Sequence, residues 1–162
     1  MKLKKGMIEV FLAFYDEGQA QLLLDTANRW IKCKDAYPSI IEVPEQDFEI
    51  KRRVLADKLA KNNVYILADI LCVPAQPAFI SAIKERFKPD IGMVGLGFVD
   101  RISEYPSGVR VCRKGVVSKW PIKTTDNYDK EHANAVIMAG KSIDIWQDIM
   151  CRELGKQVKS DA

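Results

Sequence analysis

Apolar and polar positions alternate along this chain in two rhythms, and the switches between them predict its elements. Met7 to Phe14 is a β-rich apolar run, closed by the turn-like Tyr15-Asp16-Glu17-Gly18. From Gln19 to Ile31 the apolar residues Ala20, Leu23, Leu24, Ala27 and Ile31 recur at helical spacing. Ser39 to Val43 predicts a second strand. Pro44 and the acidic Glu45-Gln46-Asp47 open a second helix with Asp47 as its N-cap and Phe48, Val54, Leu55 and Leu59 as its apolar face. Val64 to Ala68 predicts a buried third strand that stops at Asp69. Pro77 starts a helix running to about Phe87, and Ile91 to Gly95 is a fourth strand.

This order of β-α-β-α-β-α-β with short connections predicts an α/β fold. It implies a three-layer, mostly parallel sheet with helices on both faces and right-handed crossovers. The texture changes after Gly97. Gly108 to Cys112 and Val116-Val117 predict a small antiparallel pair around Arg113-Lys114-Gly115. Trp120-Pro121 and the cap-rich Thr124-Thr125-Asp126-Asn127 precede a helix from about Tyr128 to Ala139, ended by Gly140. Ile143, Ile145 and Trp146 alternate as a last strand or edge. We read one domain over 1–162, with a nucleotide-binding half at 7–95 and an acceptor half at 96–155. Met1 to Lys5 reads as a solvated leader, and the residues from Gly155 onward as a fraying tail.

Composition narrows the class. A chain of 162 residues can bury about two-thirds of its unfolded surface without a metal or disulfide staple. Apolar residues at 48% and charged residues at 29% are those of an ordinary globular protein. The net charge of +3 permits contact with nucleic acid without arguing for it. Cys33, Cys72, Cys112 and Cys151 form no C-x-x-C pair, so the common zinc spacings are absent, and free thiols in a reducing cytoplasm are expected. No run approaches the roughly 18 apolar residues of a membrane span.

Three constellations carry chemistry. Phe14-Tyr15-Asp16-Glu17 follows the first strand, where doubly wound folds bind nucleotide; a plain turn would also use Asp and Gly here. Asp69 follows five buried positions, and a charge there needs a partner or a ligand, though it could also cap the next loop. Asp129, Glu131 and His132, the only histidine, crowd one helix start. The macrodipole favours acids there, which accounts for Asp129; Glu131 or His132 could serve as a general base, although a lone histidine is more often structural. Gly92, Gly95 and Gly97 do not form the dinucleotide fingerprint, and no P-loop, G-x-S-x-G or H-E-x-x-H occurs.

Together these residues resemble a compact GT-A glycosyltransferase, similar to family-2 enzymes and their small phage-type members. Ala13 to Glu17 matches the family's turn after its first strand. Arg53 to Lys61 matches the Arg-led helix before the donor strand, and Tyr65 to Val73 matches the metal strand, with Asp69 as its first acid. Tyr128 to His132 matches the acceptor helix with its acidic pair, and Glu153 stands where relatives carry a late metal-binding histidine. The departure is Asp69-Ile70-Leu71 in place of Asp-x-Asp. The resemblance implies transfer of a sugar from a nucleotide-diphosphate donor to a hydroxyl acceptor, such as a glycan or a modified DNA base. It assigns Phe14, Tyr15, Asp16, Glu17, Arg53 and Asp69 to the donor, and Asp129, Glu131 and His132 to catalysis. Asp69 and Glu153 fall to a divalent metal (Mn or Mg), placed in doubt by Leu71, and the location is cytoplasmic, that of the host if a phage encodes the chain. The alternative is a degenerate member that binds nucleotide, nucleic acid or protein without catalysis.

Overall fold

The computed structural model describes residues 6–119 and 127–155. The predicted leader at Met1 to Lys5, the segment holding Trp120-Pro121 and Thr124 to Asp126, and the tail after Gly155 lie outside the described residues. Among the described residues seven strands form one sheet: β1 (Ile8–Phe14), β2 (Ala36–Glu42), β3 (Val64–Ala68), β4 (Cys72–Pro74), β5 (Ile91–Phe98), β6 (Val109–Arg113) and β7 (Ser142–Glu153), in the order β2-β1-β3-β6-β5-β7-β4. β1, β2, β3, β5 and β7 run one way, and β6 and β4 the other.

Helices α1 (Glu17–Ile31) and α3 (Phe79–Arg86) cover one face. Helices α2 (Phe48–Leu59), α4 (Val116–Lys119) and α5 (Tyr128–Met138) cover the other. The strand period of two decides which residue meets which layer. Val10, Leu12, Ile66, Val109 and Val111 pack with Trp30 and Phe79. Phe11, Ala13, Tyr65, Leu67 and Cys112 pack with Ala56 and Val136. The α/β, three-layer, mostly parallel sheet expected from the sequence is therefore the one observed.

The elements that differ do so for identifiable reasons. Helix α1 begins two residues early because Asp16 caps it, accepting from Gln19 N at 2.8 Å. Asp47 occupies the cap position of α2, but its backbone is left-handed (φ 57°) and its side chain makes no capping bond. Val116-Val117 does not pair with β6. Gly115 (φ +98°) turns the chain, its N–H donates to Asp57 of α2, and Val116–Lys119 coils into α4. β6 instead finds its partners in β3 and β5. The pattern gave no sign of β4, whose three residues pair with the end of β7; β7 is thus an interior strand. Gly97 sits where the β5–β7 register slips, and a Cβ there would stand 2.2 Å from the Gln147 carbonyl oxygen, so the bulge requires glycine.

Candidate donor site

The carboxyl ends of β1 and β3 open into a cleft of about 550 Å³. Its walls come from Tyr15 and Gln19 after β1, Phe48, Glu49 and Arg52 of α2, Asp69 after β3, Arg110 of β6 and Asp129 of α5. The strand period explains the convergence. Tyr65 and Leu67 face α2, so Asp69, two residues on, faces it too; Arg110 lies opposite Leu67 in the β3–β6 ladder and points the same way as Cys112.

Asp69 is held on several sides. Its N–H donates to Gly108 O at 2.7 Å, and Cys72 N donates to its carbonyl at 3.0 Å. The following residues are tied to α1, where Thr26 Oγ1 donates to Ile70 O (2.5 Å) and Trp30 Nε1 to Cys72 O (2.9 Å). These bonds use buried polar groups of α1 that would otherwise be costly, and they fix the backbone from which the Asp69 carboxylate projects.

Three arginines and three acids form a closed ring. Glu49 lies three residues before Arg52 and four before Arg53, the spacings that bring helix side chains together. Its Oε1 bonds both, at 2.9 and 2.6 Å. Arg52 Nη2 reaches Asp69 Oδ1 at 2.8 Å, Arg110 Nη1 reaches the same oxygen at 3.3 Å, and Arg110 Nη2 and Arg53 Nη2 reach Asp129 Oδ1 at 2.7 and 2.6 Å. The arginine side chains are 0–5% exposed, whereas Glu49, Asp69 and Asp129 are 36%, 43% and 21% exposed. Cations therefore form the foundation, and carboxylates stand toward the opening.

The electrostatics follow. Burial alone would raise the Asp69 carboxyl, but the guanidinium groups of Arg110 and Arg52 more than offset it and hold the group well below the usual range. Glu49 is likewise held low, burial being overcome by Arg52 and Arg53. Burial pulls the Arg53 guanidinium down, aided by its cationic neighbours Arg110 and Arg52. For Arg110 burial acts downward, but Asp69 and Asp129 raise it. His132 is pushed well below the ordinary imidazole value by burial and then by Arg53, Arg110 and Arg52. Its Nδ1 and Arg53 Nε are buried without a hydrogen-bond partner among the described residues.

The residues singled out from the sequence are distributed unevenly. Asp69, Asp129 and Tyr15 line the cleft, with Tyr15 edge-on to Phe48 (centroids 5.1 Å apart). Arg53 sits behind the wall, bonded to Glu49 and Asp129. Phe14 packs against the α1/α3 core, Asp16 caps α1, and Glu17 is an exposed first-turn residue. Glu131 is half-buried and outside the lining, and His132 is buried in the α5 layer. Glu153 ends β7 beside Cys72, where it pairs with Arg101 at 3.2 Å, and it is not part of the cleft wall. Arg52, Arg110 and Glu49 were missed. Arg110 carried a signal, being a lone charge inside the apolar run Val109 to Cys112, which demands a buried partner.

The metal that the resemblance implies does not fit this donor set. A divalent ion of this kind wants several oxygen ligands. The two positions after Asp69 are Ile70 and Leu71, and Asp69 Oδ1 is shared by two guanidinium groups. Among the described residues no group of three or more His, Cys, Asp or Glu is placed to hold an ion.

With the site described, comparison with known proteins fixes the class of fold. Three similar solved structures are glycosyltransferases, and the fold is of their GT-A type. A mannosyltransferase from Pyrobaculum calidifontis, solved with GDP-Man and Mn2+, matches with a TM-score of 0.72 at 13% identity, over 90% of this chain and 56% of its own. A glycosyltransferase involved in glycosylation of the major capsid of PBCV-1 matches at 0.59 and 10% identity, over 96% of each chain. Glucosyl-3-phosphoglycerate synthase from Mycobacterium tuberculosis, solved with Mn2+, UDP and phosphoglyceric acid, matches at 0.58 and 9% identity, over 95% of this chain and 72% of its own. The chain thus spans little more than half the length of the first of these. No family model matches the sequence, and no curated protein matches it. Among the described residues no helix is long and apolar enough to cross a membrane.

Proposed function

We propose that this protein is a glycosyltransferase that moves a sugar from a nucleotide-diphosphate donor to a hydroxyl acceptor. The observation that carries this reading is the meeting of Asp69 and Asp129 in one cleft, joined through Arg110, at the strand ends where open α/β sheets bind ligands. The donor base lies against Tyr15 and Phe48, and its diphosphate lies toward Asp69 and the arginines. Asp129 accepts a hydrogen bond from the acceptor hydroxyl. As the hydroxyl oxygen bonds the anomeric carbon, the bond to the diphosphate breaks, the phosphate oxygen keeps the electron pair, and the proton passes to Asp129. The acceptor is a glycan or a modified DNA base; within one domain residues 7–95 serve the donor and 96–155 the acceptor, except that Arg110 of the second half reaches the donor side of the cleft.

The test is turnover of UDP- and GDP-sugars, including slow donor hydrolysis, by the protein and by Asp129→Asn. We expect kcat to fall by about a hundredfold or more, a larger loss than that in nucleoside-diphosphate affinity, and a lowered thermal midpoint because Arg53 and Arg110 lose a charged partner. Normal turnover by the variant removes Asp129 from this role. A second reading, a non-catalytic binder of nucleotides, is favoured by Ile70 and Leu71. It predicts that UDP or GDP binds while every donor sugar stays intact.

A further inference from the structure

We propose that Arg52 and Arg110 supply the positive charge for the donor diphosphate, in place of a divalent ion, and that Asp69 holds their place until the diphosphate arrives. The inference rests on the donor-site reading above and departs from the metal dependence that the resemblance implies.

Three observations lead to it. The first is the donor set: Asp69 is followed by two aliphatic residues, Glu153 is engaged by Arg101 outside the cleft wall, and Asp69 Oδ1 already receives two guanidinium groups. An ion would have to displace both cations from the one acid that the strand delivers.

The second is which members of the ring are fixed. Arg52 and Arg110 are nearly solvent-free, yet both contribute to the cleft wall. They are anchored from within the fold, Arg52 by Glu49 one helical turn away and Arg110 by Asp129 of α5, the helix on the face to which Arg110 points. A guanidinium is a planar fork that stays charged and matches phosphate oxygens in pairs. Burying such cations is costly unless they are compensated. Here the compensation is held in place, so the cations are preorganised.

The third is which member can leave. Asp69 is the most exposed of the three acids, at 43% of its side chain. It can turn toward water while Arg52 retains Glu49 and Arg110 retains Asp129. A diphosphate therefore exchanges with the Asp69 carboxylate at two prepared forks, and the site passes from one anion to another without ever exposing an uncompensated arginine. The same exchange lets the ring close again over the arginines when the nucleoside diphosphate departs.

The two mechanisms assign Asp69 opposite signs. Where an ion mediates, Asp69→Asn removes a ligand and weakens diphosphate binding. Where the arginines mediate, it removes a competitor and strengthens binding. Calorimetry on the full chain with UDP, GDP and inorganic pyrophosphate, in EDTA and then in excess Mn2+, reads this directly.

We expect binding in EDTA that Mn2+ leaves within about twofold, a gain on the order of tenfold in Asp69→Asn, and a loss on the order of tenfold in Arg52→Gln. Arg52→Lys, which keeps the charge and loses the fork, falls between them. Thermal melts of each variant check the fold, and the gain in Asp69→Asn cannot arise from misfolding. Binding that appears only with Mn2+ and is lost in Asp69→Asn overturns the inference and leaves the donor reading standing. Pyrophosphate binding in EDTA without affinity for UDP or GDP keeps the arginine site and ends the donor reading. No binding of any probe overturns both.

Discussion

Among the described residues two clefts match in size, at about 550 Å³ each, and they are built differently. One is the ringed cleft between α2, α5 and the strand ends. The other lies where the end of α1 meets the β4 edge, and its charged lining is Arg29, Lys32, Lys34 and Arg152, with no acid among them. In the first, three charges come from α2 and one each from the end of β3, from β6 and from α5, and the bonds that join these elements span 17 to 76 residues of sequence. In the second, the cations stand at exposed surface positions, and among the described residues Arg29 pairs only with the exposed Asp25 one turn away on its own helix, at 3.8 Å. Volume does not distinguish the two, whereas convergence of buried, mutually bonded groups does. A binding site is a place where the fold has already met the cost of holding charge out of solvent.

That contrast can be broken experimentally, starting from its strongest side. Arg110→Met should cost about 3 kcal/mol of stability, since it removes the member that joins both halves of the ring and leaves two acids short of a partner. The figure stays at the low end because Asp69 keeps Arg52 and Asp129 keeps Arg53. Urea unfolding measures it. A loss below about 1 kcal/mol would mean that the ring is a loose surface network.

The next effect is a dependence on pH. The folded protein holds the His132 imidazole far below its ordinary value of 6.5, so the unfolded chain binds the extra proton first. Stability is then flat above that value and declines as pH falls below it. Between pH 7 and 5 the native protein should lose stability that a His132→Phe variant keeps. Asp69 and Glu49 are shifted down as carboxylates, so their loss begins near their ordinary values of 3.8 and 4.5 and deepens below them, a lower window that does not mask the histidine. Parallel slopes for the two proteins would show that His132 is solvated.

The smallest effect lies on the other side of the comparison. Lys32→Ala with Lys34→Ala should change stability by no more than about 0.5 kcal/mol and leave UDP and GDP binding where it was. A clear loss of nucleotide affinity would mean that the second cleft belongs to the site.

Much of this protein is written locally. The runs Met7 to Phe14 and Val64 to Ala68, the helical spacing from Gln19 to Ile31 and the break at Asp69 each follow from side-chain periodicity, so three layers and a strand-end acid could be read from the chain alone. Asp69 was legible because a charge closing an apolar strand stands out against its own neighbours. Arg52 and Glu49 were not, because on a helix rich in charge nothing local distinguishes a solvated arginine from a buried one.

The turn at Phe14 to Glu17 was legible as a place but not residue by residue. Asp16 spends its carboxylate on the N-cap, and only Tyr15 of the four faces the cleft. Likewise, which of Asp129, Glu131 and His132 reaches the opening depends on how α5 is rotated against the sheet. The sequence determined most of the elements, β4 and α4 excepted, and one acid, since those depend on contacts a few residues apart. The pairing of β6 with β3, the embedding of β7 and the closing of three arginines on three carboxylates were decided only by the tertiary structure, because each joins groups that a linear pattern keeps far apart.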